Sequence, residues 1–380
     1  EISGAGTLTT LFRVTVPLLT PAILTAFLAS LIRSLETFEV EQLLGVPAGI
    51  FVYATRMFDL INWSPPLFPQ AMALASLFLA ILLAMALLYQ GYLHRSGPRP
   101  TLGGKSVRFE PKRRTGWVWV AAALLMLYVA VTILLPLAIL ILGSFTKLFG
   151  FFFLKDAWTP VHWTSVLGDQ RFLHAAATSI GLSLSVAGLG AFVFALLAWV
   201  LVRANVWGRG LIGILIWLPW AIPGLVLGTA LLSLLLNTPV ISGLYGTIVP
   251  LIVALIVKEL PIGVQLLRTS LGQVSGELEE AASVAGAGFW PTFRNVTLPL
   301  IAPMLISVFV LVFAATMRDI STVVLIATPG MRTLSLLMFD FALSGRFESA
   351  AVIGVLIALI SLALTMVAYR FGMGRGAAAK

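Results

Sequence analysis

Glu280-Ala281-Ala282-Ser283-Val284-Ala285-Gly286-Ala287-Gly288, running on to Leu298-Pro299, is the stretch that decides how this 380-residue chain is read. It is acidic, polar and broken by glycine, and it lies between two long apolar stretches. Ser275 can cap a short helix whose first turn then holds Glu277, Glu279 and Glu280, where negative charge suits the positive end of the helix dipole. Gly286 and Gly288 end that helix, because glycine accepts the backbone angles that stop one. Pro291 can open the next, since a first-turn proline loses no hydrogen bond. The expectation is a helix, a break and a second helix, projecting from a membrane domain on its aqueous side.

The combination of Glu280-Ala281-Ala282, then Gly286, then Leu298-Pro299 resembles the EAA loop of membrane permeases from ABC-type importers. The three-part spacing is far more specific than a lone tripeptide. In that family the loop docks into a groove on a cytoplasmic ATPase and passes its closure to the membrane helices. The resemblance therefore implies two cytoplasmic ATPase subunits, a periplasmic or extracellular substrate-binding protein, and a bacterial cytoplasmic membrane location.

The stretch occurs twice. A constant offset sets Gly4, Gly6, Thr10, Thr15, Pro17 and Pro21 on Gly286, Gly288, Thr292, Thr297, Pro299 and Pro303. After a one-residue slip, Met57-Phe58-Asp59 falls on Met338-Phe339-Asp340. A repeat of this kind means two copies of one domain. The copies are unequal, since Glu1 aligns with Ser283. The expectation is an N-terminally truncated fragment of a longer fused permease: the end of a first copy over 1–93, a basic cytoplasmic linker over 94–116, and a complete second copy over 117–380.

Composition agrees with a membrane protein. The chain is 59% hydrophobic and 10% charged, with mean hydropathy +1.04, whereas soluble domains carry about a quarter charged residues. Apolar runs long enough to cross a hydrocarbon core of about 30 Å recur along it. They lack strict alternation, so the expected class is all-α and polytopic rather than a barrel. Spans are expected near 16–33, 71–93, 117–143, 174–202, 211–236, 244–264, 298–316 and 349–369.

The net charge of +9 crowds into short loops such as Arg95 to Arg114, as the positive-inside rule requires, so nucleic-acid binding is discounted. With those loops inside, six crossings of the second copy leave the Glu280 segment in the cytoplasm. There is no Cys, and His94, His162 and His174 are scattered as loop residues without metal-ligand spacing, so no metal or cofactor is expected. No Walker A loop or catalytic constellation appears, and ATP hydrolysis is assigned to separate subunits.

Two fused copies joined by a basic linker resemble ferric-iron uptake permeases. Thiamine, phosphonate and polyamine permeases share the architecture. An ion-driven carrier or membrane enzyme would need ionisable residues near the bilayer midplane. Arg33, Lys258, Glu259, Arg318 and Asp319 are read near span ends, which disfavours that class. Under the repeat offset Glu36 falls on Arg318, and the two are candidates for an outer gate; the alternative is that each is solvated separately in a polar loop, Asp319 being an equally good partner for Arg318.

Overall fold

The computed structural model describes residues 6, 9, 11–95, 116–153 and 155–377. Their regular structure is helical, with one isolated antiparallel bridge between Thr146 and Trp158. In chain order the helices are α1 Val16–Glu36, α2 Tyr53–Asn62, α3 Phe68–Arg95, α4 Gly116–Val129, α5 Leu135–Ser144, α6 Val161–Leu167, α7 Gln170–Val202 and α8 Arg209–Trp217. They continue with α9 Gly224–Asn237, α10 Pro239–Ser242, α11 Val249–Gly272, α12 Glu277–Val284, α13 Phe289–Thr292, α14 Leu298–Met317, α15 Leu334–Leu343 and α16 Phe347–Ala377.

Among the described residues six spans are long and apolar enough to cross a membrane: Phe68–Met85, Val118–Ser144, Gln170–Val202, Val249–Gly272, Phe289–Met317 and Phe347–Ala368. Two bent pairs add to these. Arg209–Trp220 and Gly224–Asn237 meet at 105°, across the Pro219 to Pro223 stretch. Glu41–Ala48 and Tyr53–Asn62 meet at 85°. The residues group into two compact units, Glu1–Arg108 with Ala221–Leu225, and Phe109–Trp220 with Val226–Lys380. The linker expected over 94–116 lies largely outside the described residues.

Proline sets the local irregularities. Four π-turns occur among the described residues: Leu11–Thr15, Glu41–Gly45, Ala130–Leu134 and Phe293–Thr297. Each stops one residue short of a proline: Pro17, Pro47, Pro136 and Pro299. A proline ring crowds the carbonyl four residues back and offers it no N–H, and widening the helix by one residue relieves both faults. At Pro17, Pro136 and Pro299 the helix continues through the proline, whereas at Pro47 a 3₁₀ turn ends at Gly49.

The larger unit is built on α7, α11 and α14. Gly263 of α11 lets the backbone approach Phe194 of α7, since a Cβ there would lie 2.2 Å from the ring. Phe194 is fully buried as a result. A glycine at that contact is what allows two long helices to pack this closely in lipid.

The repeat seen in the sequence has a backbone counterpart. The turn Leu11–Thr15 leads into α1, and Phe293–Thr297 leads into α14. The ten-residue helices α2 and α15 follow, and then the long helices α3 and α16.

Several expectations are corrected. Ser275 is not the N-cap: Gly276 is, and the Ser275 hydroxyl accepts a long 3.3 Å bond from the Glu277 N–H. Pro291, by contrast, does sit in the first turn of α13, at its third position, and that helix runs straight on to Met317 through the π-turn. The span expected over 244–264 runs over Val249–Gly272 instead, because Pro250 opens the helix and the turn at Gly272 ends it. The three histidines lie in helices, His94 in α3, His162 in α6 and His174 in α7. Among the described residues no group of His, Asp or Glu is placed to hold a metal ion.

Candidate functional site

The Glu280 segment begins where α11 ends. Glu277, Glu279 and Glu280 occupy the first turn of α12, and Gly286 takes φ +84° just past its end. The Ala287 N–H reaches the Ala282 carbonyl at 3.0 Å, and the Gly286 N–H reaches Ser283 at 2.9 Å. Together these bonds form a Schellman stop, which requires the left-handed residue that glycine supplies without steric cost. Nothing lies within 4 Å of a Cβ built on Gly286, so only its backbone angle demands glycine.

α12 buries none of its side chains fully. Glu280 and Ala281 are exposed, Ala282 is half-buried, and Leu278 and Val284 present apolar surface to the outside. Pro299 is exposed and Leu298 half-buried at the start of α14. In the first repeat Gly4 lies outside the described residues, while Pro17 is exposed in the first turn of α1.

The next segment is held quite differently. Phe289 packs edge-on against Trp199 of α7, and Trp290 stacks on Phe192 of the same helix. Phe293 completes the cluster and is fully buried. Aromatic anchoring thus fixes the base of α14 on α7, while α12 depends on polar contacts.

Those contacts centre on Glu279, which the sequence placed only in the first turn. Its Oε1 accepts from the Thr297 hydroxyl at 2.9 Å, and its Oε2 lies 3.3 Å from Nε of Arg203. No repeat or motif singles out Arg203. Its place immediately after a 33-residue apolar helix was the only available signal.

A second polar cluster lies beyond α14. Asp319 is buried, and its Oδ2 accepts from Lys258 Nζ of α11 at 2.7 Å. The Thr322 N–H donates to the other carboxylate oxygen at 2.9 Å. Lys258 also reaches Ser321 at 3.3 Å, and Ser335 donates to the Asp319 carbonyl at 2.7 Å. The residues from Asp319 to Val323 are irregular yet buried, which membrane depth permits only when protein encloses them.

Two readings are corrected here. Asp319 is taken by Lys258 and not by Arg318, which is exposed. Lys258 is not near a span end. It stands nine residues after Val249 and fourteen before Gly272, roughly 13 Å and 21 Å along the helix. The Glu36 side chain lies outside the described residues.

The model of the family described as "Binding-protein-dependent transport system inner membrane component" matches residues 187–372, which contain α12, its Schellman stop and α14. These residues belong to that permease family. The chain is 28% identical to the "Putative ferric transport system permease protein FbpB 1" of Haemophilus influenzae, over 85% of this chain and 50% of that protein. It is 27% identical to the "Ferric transport system permease protein FbpB" of Actinobacillus pleuropneumoniae, over 94% and 51%. It spans about half the length of these ferric relatives.

The "Putative 2-aminoethylphosphonate transport system permease protein PhnV" of Salmonella paratyphi A is 27% identical, over 68% of this chain and 94% of that one. Among solved structures, a bacterial ABC transporter involved in alginate import covers 68% of this chain and 96% of its own, with TM-score 0.54 and 18% identity. A second structure of a bacterial alginate ABC transporter contains an alginate-bound periplasmic protein. It covers 66% and 92%, with TM-score 0.52 and 19% identity. At these identities the likeness establishes the fold alone.

Proposed function

We propose that this chain forms part of the translocation path of an ATP-driven importer and that α12 is the element a cytoplasmic ATPase engages. The observation that carries the reading is a short acidic helix with no buried side chain, stopped at Gly286 and followed at once by an anchored span. An element that must be gripped from outside needs exposed surface and a rigid stop, and α12 has both. Residues 1–93 then belong to the end of a first permease copy and 117–380 to a second. Two ATPase subunits supply the hydrolysis, and an external binding protein delivers the solute.

Ferric iron is the leading cargo, supported by the ferric relatives; the phosphonate relative makes 2-aminoethylphosphonate the second candidate. Thiamine and polyamine remain within the same architecture. An ion-coupled carrier gains one observation, Lys258 in mid-helix, but the paired Asp319 answers its charge locally.

The test uses the full-length permease with its ATPase and binding protein in proteoliposomes. Gly286→Val meets no steric obstacle, so it costs the left-handed backbone alone, about 1–2 kcal/mol. Insertion should persist while ATP-dependent uptake is lost. Uptake at the wild-type rate would remove α12 as the coupling element. Comparing labelled ferric iron with 2-aminoethylphosphonate in the same vesicles decides the cargo. The gate read from the repeat is kept as a separate question, answered by a double-mutant cycle on uptake with Glu36→Gln and Arg318→Gln, in which zero coupling removes it.

A further inference from the structure

Arg203 touches three elements near α12. It is the C-cap residue of α7, and its own N–H returns to the Trp199 carbonyl at 2.8 Å. Nη2 donates to the Val274 carbonyl at 2.6 Å and to Leu271 at 3.4 Å, both at the carbonyl-rich end of α11. A cation is favoured there by the unpaired carbonyls and the helix dipole. Nε faces Glu279 of α12 at 3.3 Å, and a Cβ on Gly276, the α12 N-cap, would lie 3.5 Å from Nη1. Glu279 in turn accepts from Thr297, buried in the π-turn at the base of α14.

One guanidinium therefore joins α7, α11 and α12, and one carboxylate carries the link to α14. Its fork shape is what makes this possible, since a planar group serves two carbonyls on one edge and a carboxylate on another. α12 has no buried side chain to fix it otherwise. The contact is also unfinished. Nε is buried and ion-pairs with the Glu279 carboxylate at 3.3 Å, with no hydrogen bond in line. A small shift of α12 would bring the bond into line.

We propose that Arg203 is the positioning residue through which movement of α12 reaches the spans, with Glu279 and Thr297 as its relay to α14. The inference rests on the coupling reading of α12. Movement of α12 pulls on α7 and α11 through the guanidinium and on the base of α14 through Thr297. Three spans then respond to one short helix that none of them packs against through buried side chains.

The test is a pair of distance measurements in the full-length permease purified with its ATPase subunit. These 380 residues contain no Cys, so labels are readily placed. Spin labels at Thr269→Cys in α11 and Ser283→Cys in α12 report the clamp. Labels at Thr269→Cys and Ser307→Cys, between α11 and α14, report the bundle. Arg203→Met should broaden the first distribution and leave the second unchanged. ATPase should still co-purify, while uptake falls about tenfold and hydrolysis continues without it. Glu279→Gln keeps the size and the Thr297 partner, and should act in the same direction more weakly.

An unchanged first distribution in both variants overturns the clamp. Broadening of both distributions overturns it as well, since Arg203 would then merely stabilise the bundle. Leu278→Asp separates the two readings. If it leaves ATPase retention intact, the docking role of α12 fails, and the label distances still decide the clamp.

Discussion

Thr37 and Asp319 hold the same place in the two repeats, each just past a long helix and just before a buried apolar residue, Phe38 in one and Ile320 in the other. Thr37 is exposed and finds its partners within four residues: it donates to the Ser34 carbonyl at 2.7 Å and contacts Glu41 at 2.5 Å. Asp319 is buried and finds its charge partner on another helix, Lys258 of α11. The repeats thus share a backbone plan but satisfy their polar groups over different ranges. A threonine that closes its own turn constrains only that turn. A carboxylate that needs a distant lysine ties the end of α14 to the middle of α11.

That contrast is broken most severely at the ion pair. Removing one partner of a buried ion pair costs about 3–5 kcal/mol in comparable sites. Lys258→Met and Asp319→Leu should each lower the stability of the purified permease by that order in a denaturant titration. The double variant Lys258→Met/Asp319→Leu should recover most of the loss, because no charge is then stranded. Single variants as stable as the parent would mean that the pair is solvated and that the repeats differ in sequence only.

How much of this was legible in advance follows from the range of each interaction. The α12 stop was readable because Gly286 acts through its own φ, and the structure shows +84° there. The all-helical class and six of the eight expected spans were readable because apolar length sets them; 211–236 is instead a helix pair bent by 105°, and 16–33 is not among the spans that are long and apolar enough in the described residues. The ends of α11 were misplaced by several residues, since Pro250 and Gly272 bound it while the apolar run begins earlier. That error hid Lys258 in mid-helix.

Arg203 and the inward face of Glu279 were not legible at all. Both depend on which helix end meets which loop, and spacing along one chain does not carry that information. The sequence drew attention to Glu280, which is exposed, whereas its neighbour Glu279 makes the contacts. One residue is about 100° around a helix, enough to exchange inside for outside.

The smallest expected effect tests what the repeats share. In both copies a five-residue π-turn ends one residue before a proline, Pro17 in one and Pro299 in the other. If proline alone widens the helix, Pro17→Ala and Pro299→Ala should each let the turn close into regular α-helix. Alanine restores the missing N–H and removes the ring from the carbonyl four residues back. Closing the turn also withdraws one residue from the helix path, so stability should change by only about 1 kcal/mol in either direction. Hydrogen exchange at the amides of Leu11–Thr15 and Phe293–Thr297 reads the change directly, as slower exchange once regular bonds form. The second turn carries a load that bears on the result: Thr297 within it donates to Glu279, and a regular helix would turn that hydroxyl away. Persistence of both π-turns in the alanine variants would show that tertiary packing, and not proline, widens the helix. Closure in the Pro17 variant with persistence in the Pro299 variant would place the difference on the Glu279 bond, which Pro299→Ala/Glu279→Gln should then release.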